Sequence, residues 1–272
     1  VPVMQPVSTG LAAHQTFHAA ALNATLEVIE RDCVAITWQA RLSRPKVDLS
    51  TLESGHLDAI ARFARLGYEI QILSIGNELP VPVFMGVMRN DKPGFPPLVV
   101  SAASHLCPSR AVMKCLEELA LMERAMKAMM PSERRSGTLD VNQIRTFHDQ
   151  LRLWIHPDFA DHARFLLESK EYVQLQDIPD GDRKDPESNL NQVIDNIDKI
   201  GYDLFLKDLT VPVIGKLGWR VVKAVIPGFH PVASGHIFRS LGGRRLWELP
   251  QKLGFAALDP DIGDNPIPSP FA

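Results

Sequence analysis

One stretch limits what this chain can fold into more than any other: ATLEVIERDCVAITWQARL, residues 24–42. Leu26, Ile29, Cys33 and Ile36 recur at the i, i+3, i+4, i+7 interval of a buried helix face. The pattern predicts one long helix from about Phe17 to Leu42, with Thr16 as its N-cap and Arg44-Pro45 as its stop. Glu27, Glu30 and Arg31 fall in the middle of this apolar run. Glu27 and Arg31 are spaced i, i+4 and Glu30 lies one turn from Glu27, so all three can share one direction. Two carboxylates that close repel unless a cation stands between them. Arg31 brings one positive charge, and a Mg²⁺ ion, which takes hard oxygen ligands, would bring more. From spacing alone the same residues also suit a solvated or paired helix face.

The 272 residues suffice for one large domain or two small ones. Helix is predicted next from Leu52 to Leu66 with Gly67 at C′, followed by strands YEIQILSI, VPVFMGVM and PLVVSAA. Pro108-Ser109 opens a helix of roughly twenty residues. Its Glu117, Glu118, Glu123 and Arg124 read as a salt-laced surface. Residues 131–200 read as an irregular helical insertion within a single domain over 1–272. Amphipathic helices are expected at Val141–Trp154, Asp158–Leu167 and Leu190–Ile200, with a polar loop at DIPDGDRKDPESN. Strands YDLFLKDL and WRVVKAVIPG return to a sheet, and the end is loop-rich. Helices mixed with non-alternating strand pairs imply an α+β or layered α/β domain.

With 22% charged residues and a net charge of −3, the chain lacks the basic bias of a nucleic-acid binder. No run of about 18 apolar residues predicts a membrane span. The three cysteines, Cys33, Cys107 and Cys115, have no zinc spacing and read as free thiols in a reducing cytosol, which makes the expected location cytoplasmic. His14-x-x-x-His18 would suit a metal only if helical, and no HExxH pattern surrounds it. Neither GxGxxG nor GxxxxGK[ST] occurs, so a Rossmann or P-loop nucleotide site is not expected.

The run STGLAAHQTFHAAALNATLEVIERDCVAITWQARLSRPKVDL resembles the ATP-binding helix region of the YcaO family. So does VIPGFHPVASGHIFRSLGGRRLWELP, followed by Pro266-Ile-Pro268-Ser-Pro270, with PSRAVMKCLEEL where the family carries another site helix. The resemblance implies a YcaO-like layering of helices with mixed and antiparallel sheets, and an ATP- and Mg²⁺-dependent peptide cyclodehydratase. Such enzymes act on Cys, Ser or Thr of a ribosomal precursor peptide. The side chain attacks the preceding carbonyl, the amide oxygen is phosphorylated, and loss of phosphate leaves a thiazoline or oxazoline. By the same resemblance Glu27 and Glu30 bind nucleotide-associated Mg²⁺. Arg31 and the amide of Gln15 join them at ATP, and Lys114 stands for a phosphate-contacting arginine without its bidentate fork. Pro266, Pro268, Pro270 and Ala272 match a tail that reaches the active site. Alternating prolines would hold it extended with few core contacts, so its loss should cut turnover and change stability little. Implied partners are the precursor peptide, an E1-like leader-peptide-binding protein and a flavin-dependent dehydrogenase, and a homodimer is an option.

The sequence also departs from that pattern. His18 and Ala19 stand where the family has glutamates. The family's earlier S-x-x-x-E-x-x-E-R helix has no counterpart, so the chain is expected either to be the C-terminal portion of a longer domain or not to bind ATP unaided. Two other readings therefore stay open: a degenerate, non-catalytic scaffold or partner-binding module, and a member forming thioamides or amidines.

Overall fold

The computed structural model describes residues 7–133, 140–233 and 235–271. In chain order, β1 (Leu11–His14) leads into α1 (Phe17–Gln39), then β2 (Lys46–Val47) and α2 (Ser54–Arg65). A meander of β3 (Glu69–Ser74), β4 (Val83–Arg89) and β5 (Leu98–Ser104) precedes α3 (Pro108–Glu133). Short elements follow: α4 (Phe147–Trp154), α5 (Pro157–Ala160) and β6 (Tyr172–Val173). The chain closes with α6 (Pro186–Lys199), β7 (Phe205–Asp208), α7 (Pro212–Lys216), β8 (Arg220–Val225) and α8 (Arg244–Lys252).

The architecture is α+β and layered. One sheet has the order β1-β8-β7, all antiparallel. The other has the order β5-β4-β3-β2-β6, antiparallel except for the parallel pair β2–β6. Helix α1 packs against β1 and β8 of the first sheet and against β4 and β5 of the second. Eighteen of its twenty-three residues are buried, as expected of a helix that is apolar on nearly every side. Helices α2 and α3 cover the second sheet. At Gly86 of β4 an added Cβ would lie 2.6 Å from the Leu119 side chain of α3, so a larger residue there would have to push Leu119 and Cys115 aside.

Thr16 caps α1 as expected, accepting from the Ala19 amide at 3.2 Å. The helix ends at Gln39, short of Leu42, before the Arg44-Pro45 stop is reached. Arg41 takes the left-handed conformation (φ 52°), and the Leu42 amide reaches back to the Thr37 carbonyl at 2.9 Å in a Schellman closure. Between Val141 and Trp154 only Phe147–Trp154 is α-helical, because Thr146 and Asp149 form a capping box that starts the helix there. Asp161–Leu167 is 3₁₀, and the last helix of this stretch begins at Pro186, four residues earlier than its apolar pattern suggests.

Two buried contacts tie the C-terminal region to α1. The first joins the IERD and GGRRL stretches. The Asp32 carboxylate, fully buried, accepts from Arg245 Nε (2.8 Å) and Nη2 (2.7 Å), from the His230 amide (2.8 Å) and from Asn77 Nδ2 (3.0 Å). Arg245 also donates to Glu78 at 2.6 and 3.1 Å and lies 4.2 Å over the Phe229 ring. His230 Nε2 pairs with Gln39 Oε1.

The second is the proline segment, which is part of the core and not a tail with few contacts. Asn265 bonds the Gln39 and Trp38 carbonyls. The Trp38 indole donates to the Ile267 carbonyl (2.8 Å), the Trp154 indole to the Pro268 carbonyl (3.2 Å) and Gln150 to the Ser269 carbonyl (3.4 Å). Phe271 is 4% exposed within the main core. Prolines bring no N–H of their own to satisfy, so the segment can be buried once donors reach its carbonyls.

Two stability outcomes follow. Arg245→Met should cost about 3–5 kcal/mol in chemical denaturation, because it strands a buried carboxylate. The double variant with Asp32→Asn should recover part of that loss. Deleting residues 266–272 should cost about 3 kcal/mol or more, since two indole N–H groups lose their acceptors and the Phe271 ring leaves the core. An unchanged denaturation midpoint for the truncated protein would contradict this account of the segment.

Candidate functional site

The charged residues in the middle of α1 open onto a cavity of about 640 Å³. Its walls are α1, the end of β5, the first turns of α3, His14 of β1 and the loop that precedes α6. Ser104, the last residue of β5, organises the floor. Its amide donates to one oxygen of Glu30 at 2.8 Å, its hydroxyl shares one proton between that same oxygen (3.1 Å) and the Leu26 carbonyl (3.0 Å), and its carbonyl accepts from Lys114 Nζ at 3.1 Å. Glu27 accepts from the Gly10 amide at 2.9 Å through one oxygen and lies 3.5 Å from Arg31 through the other. Gly10 is required there: its φ is +78°, and an added Cβ would sit 2.4 Å from the Ala224 carbonyl oxygen.

From α3, Lys114 and Glu118 face the cavity one turn apart, whereas Glu117 points into a groove beside α2. Glu123 is drawn into the structure by Tyr68, whose hydroxyl donates to it at 3.1 Å. The surface reading of this acidic run therefore fails at Glu118 and Glu123. The rim carries His105, Arg110, Asp182, Lys184 and Asn189. Lys184 Nζ and Asn189 Nδ2 each donate to Asp182 at 2.8 Å, and Lys184 itself has a left-handed backbone (φ 63°).

Burial and charge distort the titration of these groups. Glu30 is pushed up to about 7, first by burial and then by Glu118, against the pull of Arg31, Lys114 and the Ser104 hydroxyl. Glu118 is likewise raised by burial, with Lys114 and Arg31 opposing. His105 is lowered by burial and by Arg110. Burial pushes Asp182 up, yet the donations from Lys184 and Asn189 outweigh it and hold the carboxyl well below the usual range. Four carboxylates and four cations thus line one space, and burial raises two of the acids.

The structure brings Glu27, Glu30, Arg31 and Lys114 together, as their sequence context implies. It leaves Gln15 exposed and outside the cavity lining, where the side-chain amides are those of Asn23 and Asn189. Pro266, Pro268 and Pro270 run along α1 and do not line this cavity. Ala272 lies outside the described residues. His14 is on a strand and His18 on a helix, so their spacing is not that of one helix face. Among the described residues no three of His, Cys, Asp and Glu lie close enough to hold a metal ion by themselves. Glu118 was readable from its i, i+4 relation to Lys114, while Asp182, Lys184 and Asn189 had no signal beyond a polar loop.

No helix is long and apolar enough to cross a membrane among the described residues. Comparison with curated proteins gave no match. Solved structures similar to the chain include "Heterocyclase in complex with substrate and Cofactor", with 25% identity and a TM-score of 0.80, covering 100% of this chain and 34% of that one. "Structure of the heterocyclase TruD" has 24% identity and a TM-score of 0.78 over 98% of this chain and 35% of that one. The YcaO structure from Methanopyrus kandleri, bound with AMPPCP and Mg²⁺, has 18% identity and a TM-score of 0.66 over 85% and 57%. The chain thus spans about a third of the length of the two heterocyclases. Residues 2–230 match the profile described as "YcaO cyclodehydratase, ATP-ad Mg2+-binding", and the chain belongs to the YcaO family.

Proposed function

We propose that this chain carries a nucleotide–Mg²⁺ site of an ATP-dependent cyclodehydratase that converts Cys, Ser or Thr of a ribosomal precursor peptide into thiazolines or oxazolines. The observation that carries the reading is the cavity itself: Glu27, Glu30 and Glu118 face Arg31 and Lys114 across one space, with Glu30 buried at its floor. The donor set suits Mg²⁺, which uses one or two carboxylates and takes its remaining ligands from phosphates and water. A similar protein was solved with a nucleotide analogue and Mg²⁺, and another with substrate and cofactor.

In this reading Glu27 and Glu30 hold the metal ion, while Arg31 and Lys114 neutralise phosphate oxygens. The nucleotide would supply the phosphoryl group that makes the amide oxygen a leaving group, and the metal ion would neutralise the charge on its phosphates. The chain's part is positioning. Ser104 fixes Glu30 and Lys114 at once, so the carboxylate and the cation cannot move independently. Partners consistent with this chemistry are the precursor peptide, an E1-like leader-peptide-binding protein and a flavin-dependent dehydrogenase that would oxidise the azoline.

The non-catalytic reading keeps one specific support: Ala19 lines the cavity without a carboxylate, and Gln15 lies outside it. Mass spectrometry separates the readings. The intact protein, given ATP, Mg²⁺ and a Cys/Ser/Thr-containing precursor peptide, should remove one water per ring formed, with fragmentation placing each loss at a Cys, Ser or Thr and not at an amine. Exchange of oxygen for sulfur would indicate thioamide formation, and an unchanged peptide with every partner present would favour the scaffold.

Glu30→Gln tests the site separately from the reaction. The folded-state value of about 7 exceeds the ordinary 4.5, so the folded state binds the proton more tightly and stability falls as pH rises from about 4.5 to 7. Glutamine keeps an acceptor for Ser104 and removes the buried charge. The variant should therefore gain stability on the order of 3 kcal/mol above pH 7 relative to wild type, gain nothing near pH 4, and lose Mg²⁺–ATP binding. Denaturation at the two pH values, with calorimetric titration of Mg²⁺–ATP, measures both effects. A variant destabilised at every pH would mean that Glu30 is a structural acceptor only.

A further inference from the structure

We propose that Phe271 is a positioning residue of the site: its ring holds the Arg31 guanidinium in place at the cavity wall, so the buried proline segment sets where that cation stands. The proposal rests on the nucleotide–Mg²⁺ reading only for what Arg31 acts upon.

The guanidinium carbon lies 4.7 Å from the ring centroid, within the range of a cation–π contact, and the ring is 4% exposed. Among the described residues Arg31 has little else to fix it: its contact with Glu27 is 3.5 Å long and its buried Nε has no hydrogen-bond partner. An arginine is normally oriented by a bidentate fork of short hydrogen bonds. Here the aromatic face takes that role.

The ring in turn is held by a chain of contacts that starts away from the cavity. The segment runs antiparallel to α1, from Asn265 beside Gln39 to Phe271 beside Arg31. Trp38, Trp154 and Gln150 hold the carbonyls of Ile267, Pro268 and Ser269, and the Ser269 hydroxyl accepts from the Phe271 amide at 3.1 Å. Three fixed proline φ angles remove most of the freedom that the segment would lose on docking. The anchor is therefore stiff along its length, and its end is a ring stacked on a site cation.

A positioning role has a consequence that packing alone lacks. Releasing the guanidinium from the ring should let the Arg31 side chain reorient at the cavity wall and weaken its phosphate contact, whatever happens to overall stability.

The test compares Phe271→Leu, Phe271→Trp and pentafluorophenylalanine at position 271 in the intact protein. Arg31 side-chain order is followed by ¹⁵Nε NMR relaxation and Mg²⁺–ATP binding by calorimetry. Phe271→Leu should lower the order of the Arg31 Nε and weaken Mg²⁺–ATP binding about fivefold. Tryptophan should keep both near wild type. The fluorinated ring keeps the shape and reverses the face charge, so it should reproduce the leucine result, and it decides the matter if the leucine variant does not fold. Arg31 order unchanged in the folded leucine or fluorinated variant overturns the proposal. If wild type binds no Mg²⁺–ATP, the proposed function fails, and the Arg31 relaxation still decides the role of Phe271.

Discussion

The structure depends on one constraint: α1 is enclosed on nearly every side, yet it carries four charged residues in one short run. A helix between two sheets has no solvated face on which to place Glu27, Glu30, Arg31 and Asp32, so each must find a partner or a cavity. Asp32 is resolved fully. Four donors reach its carboxylate, two of them from one arginine, and the pair joins α1 to α8 and to the loops that carry Asn77 and His230. Two positions away, Glu30 receives both of its donations on a single oxygen, from one residue. The same helix therefore holds a saturated carboxylate that locks the fold and an undersupplied one that faces an open space.

That asymmetry is the physical basis of the functional reading. Burial raises Glu30 and Glu118, and Arg31 and Lys114 offset it only in part. A protein selected only for stability would fill such a site with apolar residues or complete its hydrogen bonds. A site that must accept a divalent cation with phosphates needs its acids left partly unsatisfied. Asp182 on the rim shows the opposite treatment: Lys184 and Asn189 satisfy it locally, and it is held ionised.

Much of this was legible in the sequence. The period of α1, the three-strand meander and the α+β class follow from apolar spacing and turn residues, and Glu27, Glu30, Arg31 and Lys114 were placed by their motif context. What the sequence hid were contacts made across long separations. The Asp32–Arg245 pair spans most of the chain, and nothing local distinguishes that aspartate from the two glutamates before it. The proline segment read as a stiff tail because its acceptors are carbonyls, whose donors, Trp38 and Trp154, lie far off in sequence. Glu118 was read as surface because helix periodicity places Glu117 and Glu118 on adjacent faces without saying which face meets the cavity. Gln15 sat one residue before the helix cap, where a small change of backbone direction turns a side chain from cavity to solvent.

The central claim is that α1 presents raised, undersupplied carboxylates to a metal-bearing ligand. Binding such a ligand must ionise them. The direct measurement is calorimetric titration of the intact protein with Mg²⁺–ATP near pH 6.5, repeated in buffers of different ionisation enthalpy, which reads the number of protons exchanged. The account predicts a net release on the order of half a proton or more per ligand bound, falling away above pH 8 and abolished in the Glu30→Gln variant. Binding with no proton release at pH 6.5, or with the same release in that variant, would contradict it.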